Sequence, residues 1–278
     1  MYKLGIIGVG KMGRSFLEGI LNAGVLTKAE VLLFGNSKNA GLRQEGYNVA
    51  HSEREVLQKS KLVLLAFKPL QFAAVLEKLR GIDRENPDLI VISMAAGIKM
   101  DTIRKQLGDV RYARIMPNTP VVINRGMITI AIDQSGKKIT PAESRELFQL
   151  LEILGTVVEI DETEMDTAIP LHGSMPAYLY SFARAFINNA LKHGLDEEKA
   201  KTLVTEAIIG SACMLKNSNR PIDQLIADVC SKGGTTLAGL EVLQNNGFEG
   251  IIDAACDACI RRSKELSNFF VPLQKFIK

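Results

Sequence analysis

The sequence predicts an α/β protein in which a doubly wound parallel sheet, over residues 1–161, is followed by an all-helical region over 162–278. In the first region, short β-branched apolar runs alternate with amphipathic segments, a pattern typical of βαβ units. After Asp161 the strand pattern stops and helical periodicity replaces it. We therefore expect two domains with these bounds.

The strands of the first region are predicted from runs that are apolar on both faces, as buried parallel strands are. Helical patterns at 12–22 and 71–79 lie between some of these runs. The predicted strands are residues 4–7, 31–34, 62–67, 89–93, 113–116 and 127–132.

The second region is predicted to contain helices at 163–191, 196–216, 221–229, 235–246 and 248–268. Pro170 and Pro176 interrupt the first of them. Asp196 suits a helix start, Pro221 a first turn, and Gly247 the position after a helix end. Because the stretch 207–215 is apolar on more than one face, we expect these helices to be buried in a homodimer.

Charge and hydropathy exclude several classes of protein. The net charge of +3 is small and dispersed, which argues against a nucleic-acid or membrane partner. No apolar run approaches the roughly 20 residues of a membrane span. The chain passes from Met1 directly into a strand with no signal-peptide pattern, so we expect a cytoplasmic protein.

Four cysteines occur, at positions 213, 230, 256 and 259. Cys256 and Cys259 form a CxxC spacing, but no second pair of ligands accompanies it, as a structural zinc site requires. We expect no metal, and we interpret this pair as free thiols packed in a helix.

A glycine loop, Gly8-Val9-Gly10-Lys11-Met12-Gly13, stands between the first predicted strand and the first predicted helix. This context is typical of dinucleotide binding. Gly8 permits a tight turn, Gly10 lets the backbone approach a pyrophosphate, and Gly13 lets the helix pack on the strand. The alternative is a glycine-rich turn without a ligand.

The end of the second predicted strand indicates which dinucleotide is bound. NAD sites place a carboxylate there, which accepts a hydrogen bond from the ribose 2′-hydroxyl. Here the strand runs into Gly35-Asn36-Ser37-Lys38, which contains no acid. Asn36 and Ser37 can donate to a 2′-phosphate and Lys38 can neutralise it, so NADPH is favoured, with NADH as the alternative.

Further motifs follow the glycine loop in a fixed order. They are Ala66-Phe67-Lys68-Pro69, Ala95-Ala96-Gly97, Met116-Pro117-Asn118-Thr119-Pro120, Pro176-Ala177-Tyr178 and Gly233-Gly234-Thr235-Thr236-Leu237-Ala238-Gly239-Leu240. With these motifs, nearly the whole chain resembles the pyrroline-5-carboxylate reductase family, and the last of them is the most specific.

The resemblance implies a Rossmann domain and an all-α dimerisation domain, in interlocked homodimers that often assemble into a larger ring. It implies the NAD(P)H-dependent reduction of 1-pyrroline-5-carboxylate to L-proline, the last step of proline synthesis. The implied cofactor-binding residues are Ile7, Gly8, Val9, Gly10, Lys11, Met12, Asn36, Ser37, Ser52, Ala66, Phe67, Lys68, Pro69, Met94, Ala95 and Ala96. The implied substrate-binding residues are Asp228, Ser231, Gly233, Gly234, Thr235 and Thr236, in a site that the partner subunit helps to enclose.

The chemistry expected at the second loop is positioning, because a cyclic imine is basic enough to be partly protonated near neutrality. We expect the Thr236 hydroxyl to bind the ring nitrogen as the one catalytic group. The amides of Gly233, Gly234 and Thr235 are expected to bind the substrate carboxylate at a helix start. The same four residues also suit a simple helix cap.

Departures from the family pattern keep the substrate open. Lys232 replaces a proline and Cys230 a serine or threonine, while His172 and Met175 replace a serine and a glycine. A paralogue acting on another cyclic imine, such as the competence-associated relatives, and a non-catalytic NADPH-binding protein are the alternatives. The β-hydroxyacid dehydrogenases are set aside, because no lysine occurs between Glu162 and Leu191.

Overall fold

The structure is a computed structural model that describes Met1–Asn268. It divides into two compact units. The first unit comprises Met1–Ser174 together with the described chain from Cys259 onward, and the second comprises Met175–Ala258. The predicted domain boundary after residue 161, placed where the strand pattern ends, stays a prediction. Residues 269–278 of the predicted second domain lie outside the described residues.

The first unit is built on one eight-stranded sheet with the strand order β3-β2-β1-β4-β5-β6-β7-β8. The strands are β1 (Tyr2–Ile7), β2 (Val31–Phe34), β3 (Asn48–Val49), β4 (Ser60–Leu65), β5 (Ile90–Ser93), β6 (Arg111–Pro117), β7 (Gly126–Ile132) and β8 (Gly155–Glu159). All six predicted strands are present. The sequence prediction missed β3 and β8.

One pair of neighbouring strands departs from the predicted parallel sheet. Strand β7 runs antiparallel to β6, with Ile115 opposite Ile130, whereas the other neighbouring pairs are parallel. The connection between them, residues 118–125, is shorter than the dozen or so residues that a parallel crossover needs. The sheet is therefore mostly parallel with one reversal near its edge.

Helices cover both faces of this sheet, as a doubly wound fold requires. They are α1 (Lys11–Asn22), α2 (Asn39–Gln44), α3 (Glu53–Lys59), α4 (Phe72–Glu77), α5 (Met100–Leu107), α6 (Pro141–Glu152) and α7 (Met165–Ala168). Side chains of α3, α4 and α5 form one buried apolar cluster with the sheet. Side chains of α1, α2 and α6 form another, so the sheet has two buried faces.

A buried arginine on the sheet forms ion pairs with the first residues of the predicted helical region. Arg114 on β6 is 1% exposed, and its guanidinium lies 3.6 Å from a Glu162 carboxylate oxygen and 3.8 Å from one of Asp166. Burial lowers the pKa of Arg114, and the two carboxylates oppose that effect. Ser263 donates a hydrogen bond to Asp166 over 2.6 Å, which ties the last described helix to the same cluster.

The remaining helices are α8 (Met175–Lys192), α9 (Glu197–Asn217), α10 (Ile222–Asp228), α11 (Thr235–Asn245) and α12 (Phe248–Asn268). Asp196 caps α9 by accepting a hydrogen bond from the Lys199 amide over 3.1 Å, as its position predicts. The predicted helix 163–191 is divided into α7, a π-helical turn at Ile169–Gly173, and α8. The sequence interruption at Pro170 lies in that turn.

The second unit leaves most of its apolar side chains uncovered. Across Met175–Ala258, all of which is described, Ala200 alone is buried. Phe186 is 53% exposed and Leu203 is 62% exposed. None of the described helices has the length and apolarity needed to cross a membrane. These helices therefore carry apolar faces that the rest of the described chain, residues 1–268, does not cover.

Candidate functional site

A cleft of about 220 Å³ opens at the carboxyl ends of β1, β2 and β4. This is the edge where ligands bind in doubly wound sheets, at the point where the strand order reverses. Its walls are Ile7, Gly8, Val9, Gly10, Phe34, Gly35, Asn36, Lys38, Glu53, Ala66, Phe67, Lys68, Gln71 and Val75. The cleft thus brings together three segments that the sequence assigned to a cofactor.

Two glycines of the loop are required by close packing. Gly8 has a φ of +95°, and a Cβ there would lie 2.7 Å from the carbonyl carbon and oxygen of Ala66. A Cβ on Gly13 would lie 2.2 Å from the Gly8 carbonyl oxygen. Contacts this short are not tolerated, so the turn and the approach of α1 to the sheet both depend on glycine.

Gly10 has a different role, because a Cβ there would meet no protein atom within 4 Å. Its φ of −79° is open to any residue, so neither packing nor backbone strain requires a glycine. Gly10 precedes the first turn of α1, whose amides have no partner within the helix. Open space beside such amides fits a pyrophosphate that approaches the backbone closely.

The loop after β2 adds positive charge to the cleft. Lys38 donates from Nζ to the Val9 carbonyl oxygen over 3.0 Å, so its ammonium group lies beside the glycine loop. Asn36 has a φ of +51°, a left-handed conformation that asparagine tolerates better than most residues. The Gly35 amide donates to Asn39 Oδ1 over 2.7 Å, which fixes the start of this turn.

Several predicted cofactor residues are not walls of this cleft. Ser52 caps α3, accepting a hydrogen bond from the Glu55 amide over 3.2 Å. Ala95 is buried, and Met94 and Ala96 pack partly against the two apolar clusters. Lys11, Met12 and Pro69 also lie outside its walls, and Ser37 lines a neighbouring hollow.

Sequence reasoning gave no cofactor role to five walls of the cleft, which are Phe34, Gly35, Glu53, Gln71 and Val75. Glu53 is the acidic residue among the walls, and its described ion pair is a 4.0 Å contact with Lys78. The sequence signal that could have indicated Glu53 is its position directly after Ser52, a predicted cofactor-binding residue. Gln71 and Val75 are brought to the cleft by the turn into α4, which the sequence pattern does not specify.

The loop before α11 holds the predicted substrate-binding residues in the second unit. Gly234 is the N-cap of α11, with a φ of −80°, and Thr235 is the first helical residue. Gly233 has a φ of +69°, which explains a glycine at that turn. No side chain caps this helix, and Thr235 and Thr236 are exposed. The first-turn amides and two hydroxyls are therefore accessible.

Two details modify the predicted use of this loop. The Gly234 amide donates to the Ser231 carbonyl oxygen over 2.9 Å, so this donor is engaged within the loop and is not free for a carboxylate. Asp228 lies 2.6 Å from the Arg220 guanidinium, which lowers the pKa of its carboxyl group. Of the three predicted amide donors, those of Gly233 and Thr235 remain for an anion, together with the Thr236 amide that follows in the first turn of α11.

His172 has a structural position in the first unit. Its imidazole is 6% exposed, with Nδ1 2.8 Å from the Ala168 carbonyl oxygen and Nε2 2.7 Å from that of Met116. Asn118 donates from Nδ2 to the His172 carbonyl oxygen over 3.2 Å. His172 thus joins the π-helical turn to the end of β6.

The four cysteines are free, and none of them is fully buried. Cys213 is exposed, whereas Cys230, Cys256 and Cys259 are half-buried. Cys259 packs against the first apolar cluster, with its Sγ 3.3 Å from the Ser174 hydroxyl. Within residues 1–268, no three His, Cys, Asp or Glu side chains cluster as metal ligands.

Comparison with known proteins identifies the family. The model of pyrroline-5-carboxylate reductase dimerisation matches residues 162–266, and that of NADP oxidoreductase, coenzyme F420-dependent, matches residues 3–97. Pyrroline-5-carboxylate reductase of Pisum sativum is 32% identical over 96% of both chains. The chain belongs to the pyrroline-5-carboxylate reductase family. The Escherichia coli K12 reductase is 31% identical over 96% of this chain and 98% of its own.

Solved structures of the family share the fold. The Plasmodium falciparum pyrroline carboxylate reductase with NADP bound is 28% identical and superposes with a TM-score of 0.87, over 96% of this chain and 98% of that one. The Streptococcus pyogenes enzyme is 30% identical with a TM-score of 0.85, over 95% and 98%. The predicted fold class, a Rossmann domain followed by an all-helical region, is confirmed.

The two glycines Gly10 and Gly13 form a matched pair for substitution. Gly10→Ala should leave the thermal midpoint within a few degrees and weaken NADPH binding about tenfold or more, because the methyl group occupies ligand space. Gly13→Ala should lower stability by about 1–3 kcal/mol through overpacking. Thermal unfolding and NADPH fluorescence titration measure both effects. A normal NADPH affinity in Gly10→Ala would remove the assigned pyrophosphate position.

Proposed function

We propose that this chain is a reductase that uses NADPH to convert 1-pyrroline-5-carboxylate to L-proline, the last step of proline synthesis. The observation that carries the proposal is the glycine cleft of the first unit, in a chain whose second unit begins α11 with Gly233-Gly234-Thr235-Thr236. Relatives that match almost the full length of both chains carry the name of this enzyme.

The residues of the cleft fit a nicotinamide dinucleotide. Gly8 and Gly10 and the first amides of α1 would hold the pyrophosphate, and Asn36 and Lys38 would hold the adenosine end. When bound, NADPH supplies the hydride that reduces the C=N bond. The loop 36–38 contains no acid, which favours NADPH over NADH, the alternative cofactor.

The loop before α11 would bind the substrate by its two polar groups. The amides of Thr235 and Thr236, free at a helix start, suit the carboxylate. The Thr236 hydroxyl would hydrogen-bond the ring nitrogen and orient the imine carbon. The proton on that nitrogen arrives with the substrate, so the loop needs no strong acid.

Lys232 adds a positive charge to the loop where the family has a proline. Lys232 is exposed, and the neighbouring Asp228 carboxylate already forms an ion pair with Arg220. Lys232 has no ion pair among the described residues 1–268, and a cation beside the first amides of α11 favours an anionic substrate. This arrangement supports an imine that carries a carboxylate over one that does not.

The enzyme is proposed to act as a homodimer, which can assemble further into a ring of dimers. Helix α8 carries Phe182 and Phe186, whose ring centroids lie 4.8 Å apart and which are 42% and 53% exposed. An uncovered aromatic pair of this kind is typical of an interface. The family model that matches this region describes dimerisation.

The assay that tests the function follows NADPH oxidation by absorbance with three substrates. Pyrroline-5-carboxylate should be reduced with a kcat/KM well above that of its six-membered homologue or of 1-pyrroline without the carboxylate. The reason is that, in the proposed site, the loop before α11 contacts both the ring nitrogen and the carboxylate of the substrate. A preference for the six-membered imine would assign the chain to a paralogue, and no turnover of any imine would favour a non-catalytic NADPH-binding protein.

Thr236→Ala should lower kcat/KM about ten- to a hundredfold, because a hydrogen bond to a charged group is worth ~1.5–3 kcal/mol. Thr236→Ser keeps the hydroxyl and should keep most activity. NADPH affinity should be the same in both variants, since the cofactor cleft lies in the other unit. Unchanged turnover in Thr236→Ala would show that the hydroxyl does not touch the imine.

Light scattering after size exclusion should give at least twice the mass of one chain at micromolar concentration. Phe186→Glu should shift the protein toward monomer, because a carboxylate replaces apolar area at the interface. Arg184→Glu changes an exposed residue of the same helix and is the matched control. A stable wild-type monomer would contradict the proposed assembly.

A further inference from the structure

A second hollow, of about 450 Å³, adjoins the cofactor cleft. Val9 and Lys38 belong to the walls of both spaces. We call it the Arg14 hollow, and its walls are Val9, Arg14, Ser37, Lys38, Gly41, Leu42 and Glu45. It therefore begins where the loop after β2 meets the glycine loop, on the adenosine side of the cleft.

Arg14 is held in this hollow by two carboxylates. Its Nε donates to Glu18 over 2.6 Å and one terminal nitrogen donates to Glu45 over 2.5 Å. A guanidinium has five N–H donors, so most of them are not used in these two contacts. The side chain is 35% exposed and lies over the Tyr47 ring at 5.8 Å. It is thus oriented but still open to a ligand.

The other polar groups of the hollow match a phosphate. Lys38 supplies a second cation, placed by its bond to the Val9 carbonyl oxygen, and Ser37 supplies a hydroxyl. An arginine fork with a lysine and a hydroxyl is the donor set that binds phosphate dianions. The Glu45 carboxylate is the one wall that opposes an anion.

We propose that Arg14 is a specificity-determining residue that binds the 2′-phosphate of NADPH, and that Glu45 occupies Arg14 until this phosphate replaces it. This inference rests on the proposed function and extends the assignment of the loop 36–38. NADH carries a hydroxyl in place of the phosphate, which cannot displace a carboxylate from Arg14. The exchange therefore discriminates between the two cofactors.

The exchange is feasible because Glu45 can leave for water. Its side chain is 43% exposed, and it stands directly after the last residue of α2. The Arg14 hydrogen bond lowers the pKa of the Glu45 carboxyl group, which keeps it charged near neutrality. A charged Glu45 left in place would repel the phosphate, whereas exposed pairs of this kind contribute little stability.

The test measures ligand binding by calorimetry on the full-length protein, with adenosine 2′,5′-bisphosphate and 5′-AMP as probes. Arg14→Gln should weaken the bisphosphate about five- to thirtyfold and leave 5′-AMP within about twofold, because the lost contact is a partly exposed, charge-assisted one. Equal loss for both probes, or no loss for the bisphosphate, would overturn the role of Arg14.

A second variant gives an effect of opposite sign, which poor folding cannot imitate. Glu45→Gln should tighten the bisphosphate about two- to tenfold with little change in 5′-AMP, because the competing charge is gone. Glu146→Gln also removes one paired carboxylate, but it lies among the amino ends of the strands and controls for net charge. If Glu146→Gln tightens the bisphosphate equally, or Glu45→Gln does not tighten it, Glu45 is no competitor.

The proposed function can fail independently of this inference. If the wild type binds NADPH no better than NADH, the proposed cofactor preference is wrong and Arg14 has no phosphate to select. If the wild type prefers NADPH and the bisphosphate while Arg14→Gln binds both normally, the preference stands and the inference alone is overturned.

Discussion

The first turn of α1 lies so close to the ends of β1 and β4 that two positions tolerate no side chain. A Cβ at Gly8 would overlap the Ala66 peptide, and one at Gly13 would overlap the Gly8 carbonyl. This approach fixes the unpartnered amides of α1 at the carboxyl edge of the sheet, where the order of strands reverses. The cofactor cleft is thus a consequence of how the first helix packs, and Gly10 is the one loop glycine left for the ligand.

A second constraint comes from the helical unit, which cannot cover its own apolar faces. Ala200 is buried, but Leu203 on the same helix, one turn further, is 62% exposed. Burying apolar surface contributes about 25 cal/mol per Å². The exposed apolar side chains of these helices therefore favour association with a second copy of the chain. The loop before α11 belongs to this unit, and its geometry is therefore expected to depend on assembly as well as on local sequence.

Sequence reasoning succeeded where a local pattern carries the structure. The strand at 31–34 and the start of α11 at Thr235 agree with the predicted bounds, because apolar runs and glycine caps are local signals. It missed β3, which has two residues, and β8, none of whose five residues is buried. The breaks expected at Pro170 and Pro176 were local signals too, but the π-helical form of the turn at Ile169–Gly173, where His172 contacts the Met116 carbonyl oxygen, was not predicted.

In the site, too, only the residues that belong to a local sequence pattern were predicted. The glycine loop and Lys38 were predictable because their spacing follows from the fold, but Glu53 enters the cleft through the turn after β3. The Arg14–Glu45 pair joins residues 31 positions apart and leaves no sequence signature. Contacts between separate elements are set by tertiary packing, which a single sequence does not reveal.

The charges of the loop before α11 agree with the proposed function, in which this loop binds the substrate and supplies no acid. Asp228 is paired with Arg220, which lowers the pKa of its carboxyl group, so near neutrality it stays ionised and has no proton to give. With that carboxylate neutralised, Lys232 and the first amides of α11 leave the loop positive on balance. A positive loop attracts the substrate carboxylate and disfavours an additional proton on the loop itself. In the proposed function, the imine therefore arrives protonated and is held in place, and the role proposed for Thr236 is to orient it.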